Sequence, residues 1–115
     1  MADSPREVVE RHIRLLEERA AAAEVAADYA EDAKFEMNGS QAEGVEAITK
    51  LFENFIPMMG EMHMEEIQYT EHDDGCVEIA WKAGPMNGGD KFYCDPGSGL
   101  IKDQRAWMGV KPEDW

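Results

Sequence analysis

Apolar residues recur every three to four positions in the first part of the chain and at every second position through most of the later part. That change of period predicts helices followed by a sheet. Asp3-Ser4-Pro5 opens the first helix: Ser4 is a good N-cap, Pro5 fits the first helical position, and Glu7 completes a capping box. Val8, Val9, His12, Ile13, Leu15 and Leu16 then share one face, with Glu10, Arg11, Arg14, Glu17 and Glu18 on the other. The run Ala20 to Ala23 keeps helix propensity high. Ala33, Phe35 and Met37 alternate with Lys34 and Glu36, which predicts a strand over Ala33 to Met37. Asn38-Gly39-Ser40 is turn chemistry, and an extended stretch follows to Gly44. Val45, Ile48, Leu51, Phe52 and Phe55 predict an amphipathic helix over Val45 to Ile56, stopped by Pro57.

The rest reads as strands and turns. Met62 to Thr70 alternates through His63, Glu65, Ile67 and Tyr69. His72-Asp73-Asp74-Gly75 is a hairpin turn, because Asp-Gly tolerates the positive φ such turns need. Cys76 to Ala83 is a strand with Val77, Ile79 and Trp81 on one face. Gly84 to Gly89 reads as a loop, Asp90 to Cys94 as a strand, Asp95 to Gly99 as a turn and Leu100 to Val110 as a long final strand. Helices followed by an antiparallel meander make an α+β architecture. A curved sheet with helices on one side forms a cone whose open end is a concave apolar site.

Composition narrows the function. With 115 residues, 43% hydrophobic, and no repeats or linkers, residues 1–115 form a single domain with a real core. A net charge of −14 argues against nucleic acid and anionic membrane surfaces as partners, since both would repel it. No apolar run approaches the roughly 18 residues a membrane span needs. MADSPREVVERH lacks a signal-peptide core, so a cytoplasmic protein is expected. Cys76 and Cys94 have no CxxC spacing and are expected as free thiols, and no residue spacing implies a metal.

Several segments together resemble the nuclear-transport-factor-2-like superfamily, in its SnoaL-like polyketide cyclase and ketosteroid isomerase branch. They are VVERHIRLL, DYAEDAKFE, EGVEAITKLFENF, DDGCVEIAW and GGDKFYCDPGSGLIKDQRAWM, spanning about Pro5 to Met108. The resemblance implies a cystatin-like barrel, a curved antiparallel sheet wrapped around three N-terminal helices. It also implies a break near Ala20 to Ala23, with a second helix over about Ala22 to Tyr29. It further implies a homodimer paired through the outer sheet face, which an exposed Tyr69, Trp107 or Trp115 would suit. No cofactor is implied.

The family's catalytic positions transfer one at a time. The isomerase base, an aspartate on the first strand, falls on Met37, with Asn38 beside it; a thioether cannot take that proton. The tyrosine that bonds the enolate oxygen falls on His12, which can still donate. The protonated aspartic acid that is the other oxyanion donor falls on Asp90. A network tyrosine matches Tyr29, and another is lost at Phe52. An epoxide-hydrolase arrangement would need a last-strand aspartate where this chain has Ala106.

Asp90 is the first candidate catalytic residue. A carboxyl facing the cone would be desolvated and its pKa raised, making it a hydrogen-bond donor or an acid/base. The alternative is a turn-capping aspartate after Gly88-Gly89. The resemblance implies that His63 faces the cavity from the start of the second strand, where it could be a general base; the residues alone also allow a surface histidine in the acidic run EMHMEE. His12 would complete an acid/base couple, or be a hydrogen-bonded core histidine. His72 is expected in solvent. Candidate walls are Trp81, Trp107, Met59 and Met108, together with Phe35, Phe52 and Ile79, which an ordinary core also explains. Such walls suit a small hydrophobic carbonyl compound and cofactor-free proton transfer: isomerisation, cyclisation or dehydration. The second reading is a non-catalytic ligand-binding or dimerisation module on the same cone.

Overall fold

The computed structural model describes residues 4–115, so Asp3 lies outside the described residues. Helix α1 runs Pro5–Glu17, with the Ser4 hydroxyl accepting from the Glu7 amide and the Glu7 side chain accepting from the Ser4 amide. It buries Val8, Val9, His12, Ile13 and Leu16. The helix ends where Arg19 adopts φ +56°, and its guanidinium donates to the Leu16 carbonyl at 3.0 Å and the Gly60 carbonyl at 3.0 Å. Those bonds tie off the first helix despite the alanines that follow. Helix α2 is short, Ala22–Ala26.

Strand β1 spans Tyr29–Met37, so the chain is extended from Tyr29 rather than helical to it. The Ile101 amide donates to the Asp28 carbonyl at 2.8 Å, and this long-range bond outweighs the helix preference of the alanines around it. Strand β2 is Ser40–Glu43, and helix α3 is Val45–Met59. Helix α3 passes Pro57, which removes only one amide donor from the last turn, and ends at Gly60 with φ +56°.

Strand β3, Glu66–Glu71, starts later than the alternation over Met62 to Thr70 predicted. Glu17 holds the preceding loop, accepting from the Met64 amide at 2.8 Å. Strand β4 is Cys76–Ala83 and β5 is Met86–Cys94. Ala83 pairs with Met86, so the connection is only Gly84-Pro85, and Gly88-Gly89 lie inside a strand. A Cβ on Gly88 would sit 2.7 Å from Cε2 of Trp81, and one on Gly89 would sit 2.5 Å from Nε1 of Trp107. The glycine pair therefore makes room for an indole on each face of the sheet. Strand β6, Ile101–Met108, completes a six-stranded sheet of order β2-β1-β6-β5-β4-β3. All neighbours are antiparallel except β1 and β6, which run parallel.

The core lies between the helices and the concave face, around Val9, Val25, Ile48, Phe92 and Ile101. Among the described residues no helix is long and apolar enough to cross a membrane.

Candidate functional site

Strand register sets which residues face the cone. Ile79 opposes Asp90, Asp90 opposes Ala106, and Phe92 opposes Gln104. Asp90, Phe92, Gln104, Ala106 and Met108 therefore share the concave face with Ile79 and Trp81. Between that face and the helices is a cavity of about 50 Å3. Buried His12, Ile13 and Leu16 from α1 line it, as do Phe35, Phe52 and Phe92. Half-buried Met37, Leu51, Phe55, Met64, Trp81 and Met108 form its more open side.

One chain of hydrogen bonds crosses the site. The Trp81 indole Nε1–H donates to Asp90 Oδ1 at 3.1 Å, and Gln104 Nε2 donates to Asp90 Oδ2 at 2.8 Å. The Tyr29 hydroxyl donates to Gln104 Oε1 and lies 3.4 Å from His12 Nε2. Among the described residues, buried His12 Nδ1 makes no hydrogen bond.

Burial sets the charge states. Desolvation raises the Asp90 pKa to about 6, against the opposing bonds from Gln104 and Trp81. Asp90 is half-buried as a residue and lines the cavity. Desolvation lowers His12 to about 4, although the Asp28 charge and the Val25 backbone favour the protonated ring. His12 is therefore neutral at pH 7, packed edge-on against Tyr29, Phe52 and Phe92. Burial also raises the Tyr29 pKa, with Asp90 and Asp28 adding to it.

The structure thus joins Asp90 and His12 through Gln104 and Tyr29, and places Phe35, Met37, Phe52, Trp81 and Met108 on the cavity. His63 is elsewhere: it is exposed on the loop before β3, with Nδ1 2.7 Å from Glu17 Oε2. Asn38 is an exposed turn residue whose amide bonds the Met108 backbone, donating at 3.3 Å and accepting at 3.4 Å. Met59 and Ile79 are core residues off the cavity, and Tyr29 stands behind Gln104 rather than on the wall. Trp107 touches the cavity, but register puts its side chain on the convex face, over Gly89. Tyr69, by contrast, is not on the convex face: it pairs with Ile79, and Arg6 of α1 lies over its ring. His72 is exposed, beside Glu78.

Gln104 was not among the residues singled out by sequence. The available signal was a buried polar residue alternating with Ala106 and Met108 on a strand. A larger depression of about 490 Å3 lies on the convex side among Lys34, Glu36, Glu43, Asp103 and Arg105. Among the described residues no cluster of His, Cys, Asp and Glu could hold a metal ion.

Residues 9–95 match the model of the SnoaL-like domain. No curated protein matches the chain by sequence. The fold is similar to that of SalBIII, an epoxide hydrolase/cyclase-like enzyme of pyran ring formation in polyether salinomycin. That likeness has a TM-score of 0.78 at 23% identity and covers 92% of this chain and 91% of that one. A SnoaL-like protein of unknown function from Burkholderia thailandensis gives 0.78 at 13% identity, over 91% and 94%. A SnoaL-like polyketide cyclase from Shewanella denitrificans gives 0.77 at 13%, over 91% and 90%. At such identities the likeness establishes the α+β cone and no particular reaction.

Proposed function

This chain belongs to the SnoaL-like domain family, and from that premise we propose that its cone binds a small, largely apolar carbonyl compound and moves a proton at the carbon beside the carbonyl without a cofactor. One observation carries the reading. Asp90 is a carboxyl with its pKa raised to about 6, lining an apolar cavity. A carboxylate of that basicity takes a proton more readily than an ordinary aspartate and is still mostly ionised at pH 7. Trp81 and Gln104 fix its orientation from both sides. His12, neutral and on the cavity wall, is joined to Asp90 through Tyr29 and Gln104. His63 takes no part.

The cavity volume favours a second reading. About 50 Å3 is well below the roughly 300 Å3 at which pockets begin to enclose a drug-sized molecule. Met37, Met64 and Met108 adapt in shape, but a cone filled by its own Trp81 and methionines also describes a binding or dimerisation module. A thermal-shift screen of small ketones and enones against the wild type and Asp90→Asn separates the two. Ligands whose stabilisation depends on Asp90 support proton transfer, and ligands indifferent to it support simple binding. The proposal extends to a cytoplasmic homodimer through the convex sheet face. Trp107 and Trp115 lie on that face, the latter beneath Lys91 and Arg105. Sedimentation velocity tests the pairing.

A further inference from the structure

Among the described residues no lysine or arginine lines the cavity of the Asp90 carboxylate. The titratable and polar groups on its wall are His12 from α1, Trp81 from β4 and Gln104 from β6, with Tyr29 from β1 behind Gln104. Helix α3 contributes only Leu51, Phe52 and Phe55. Both carboxylate oxygens accept from neutral N–H groups, Oδ1 from Trp81 and Oδ2 from Gln104. Two fixed donors describe a site built for the ionised form, because a protonated carboxyl would turn its own hydrogen against one of them. A carboxylate offers about four acceptor positions, and Trp81 and Gln104 take two of them. A carboxylate in an apolar setting with hydrogen-bond donors but no counter-charge is costly, and a bound cation relieves that cost.

We propose that the Asp90 end of the cone binds a primary alkylammonium ion, with the ammonium on the carboxylate and the alkyl chain along Met37, Leu51, Phe55, Met64 and Met108. About 50 Å3 is room for roughly three water molecules, enough for an ammonium head, and the alkyl chain then lies along the half-buried, open side of the cavity rather than inside it. The open side is apolar, as an alkyl chain requires. The net charge of −14 concentrates cations near the protein. This ligand class goes beyond the carbonyl reading and does not depend on it.

The test titrates the protein with n-hexylammonium chloride, 1-hexanol and 2-hexanone at pH 8, following the carbon-13 resonance of the Asp90 carboxyl. The ammonium should bind about tenfold or more tightly than the alcohol, since its hydrogen bonds to the carboxylate are charge-assisted on both sides. At a concentration a hundredfold above its dissociation constant it should lower the Asp90 pKa by about two units. Asp90→Asn should abolish the preference over 1-hexanol. If that variant fails to fold, the wild type at pH 5 serves instead, where protonating Asp90 should weaken the ammonium at least about fivefold and leave the alcohol unchanged. Equal affinity for ammonium and alcohol would overturn the proposal, as would ammonium binding that leaves the Asp90 resonance in place. If 2-hexanone binds through Asp90 while the ammonium does not, this inference fails and the carbonyl reading stands. The reverse outcome separates them the other way.

Discussion

Trp81 and Asp90 sit diagonally across β4 and β5, and the indole Nε1–H donates to Oδ1 at 3.1 Å. The bond opposes the rise in the Asp90 pKa that burial causes. Trp81→Phe keeps an aromatic ring and loses the donor. The Asp90 pKa should rise above about 6 by roughly one unit, the scale of one hydrogen bond to a charged group. Carbon-13 NMR of the carboxyl reads it. An unchanged pKa would mean that the indole does not restrain the charge.

The glycine pair makes a matched prediction. Gly88→Ala drives a methyl into the Trp81 ring on the concave face, and Gly89→Ala drives one into Trp107 on the convex face. Each should cost about 1–3 kcal/mol by overpacking. Only Gly88→Ala should also move the Asp90 pKa, because only it displaces the Asp90 donor. Urea unfolding together with the NMR titration distinguishes the two.

Asp90 and His12 should pull stability in opposite directions with pH. The folded carboxyl holds its proton more tightly than the ordinary value of 3.8 allows, with a pKa of about 6. Its contribution is lost as pH rises from about 4 to 6, by at most about 3 kcal/mol. Folded His12 sheds its proton more readily, at about 4 against 6.5. Its contribution is lost as pH falls over nearly the same window, by about 3 kcal/mol. The two nearly cancel in the wild type. Relative to it, Asp90→Asn should gain stability from pH 4 to 6 and His12→Phe should lose it. Parallel profiles for all three proteins would contradict the assigned charge states.

His63→Ala should be nearly silent. The His63–Glu17 pair is exposed on the histidine side, so its loss should cost about 0–1 kcal/mol. Ligand-induced stabilisation and any turnover should not change. A large loss of activity would move the site towards the loop before β3.

How far the sequence reveals this molecule depends on where each signal resides. The capping box at Ser4, the buried face of α1 and the strand β4 are local patterns, and the structure carries them as the pattern predicts. Gly88-Gly89 reads as a loop because a glycine doublet ordinarily marks one. The two indoles that require it come from Trp81 and Trp107 on the neighbouring strands, and no local window contains them. Tyr29 reads as a helix end because its strand partner, Ile101, is distant in sequence. His63 follows the alternation of a strand that the Glu17 carboxylate prevents from starting there. Asp90 stands out as a carboxyl among glycines and aromatics. Gln104, which links it to Tyr29, needs the register of β5 and β6 before its role is visible.

The most direct measurement is proton NMR of a small ketone or enone in deuterium oxide with the wild type and Asp90→Asn. The account predicts that the wild type accelerates exchange of the hydrogens beside the carbonyl. The rate should rise with pH through about 6 and then level, as Asp90 ionises. Asp90→Asn should be slower by about a hundredfold or more. Exchange by the variant at the wild-type rate, or no exchange by the wild type with ketones shown to bind, would contradict the claim that Asp90 moves the proton.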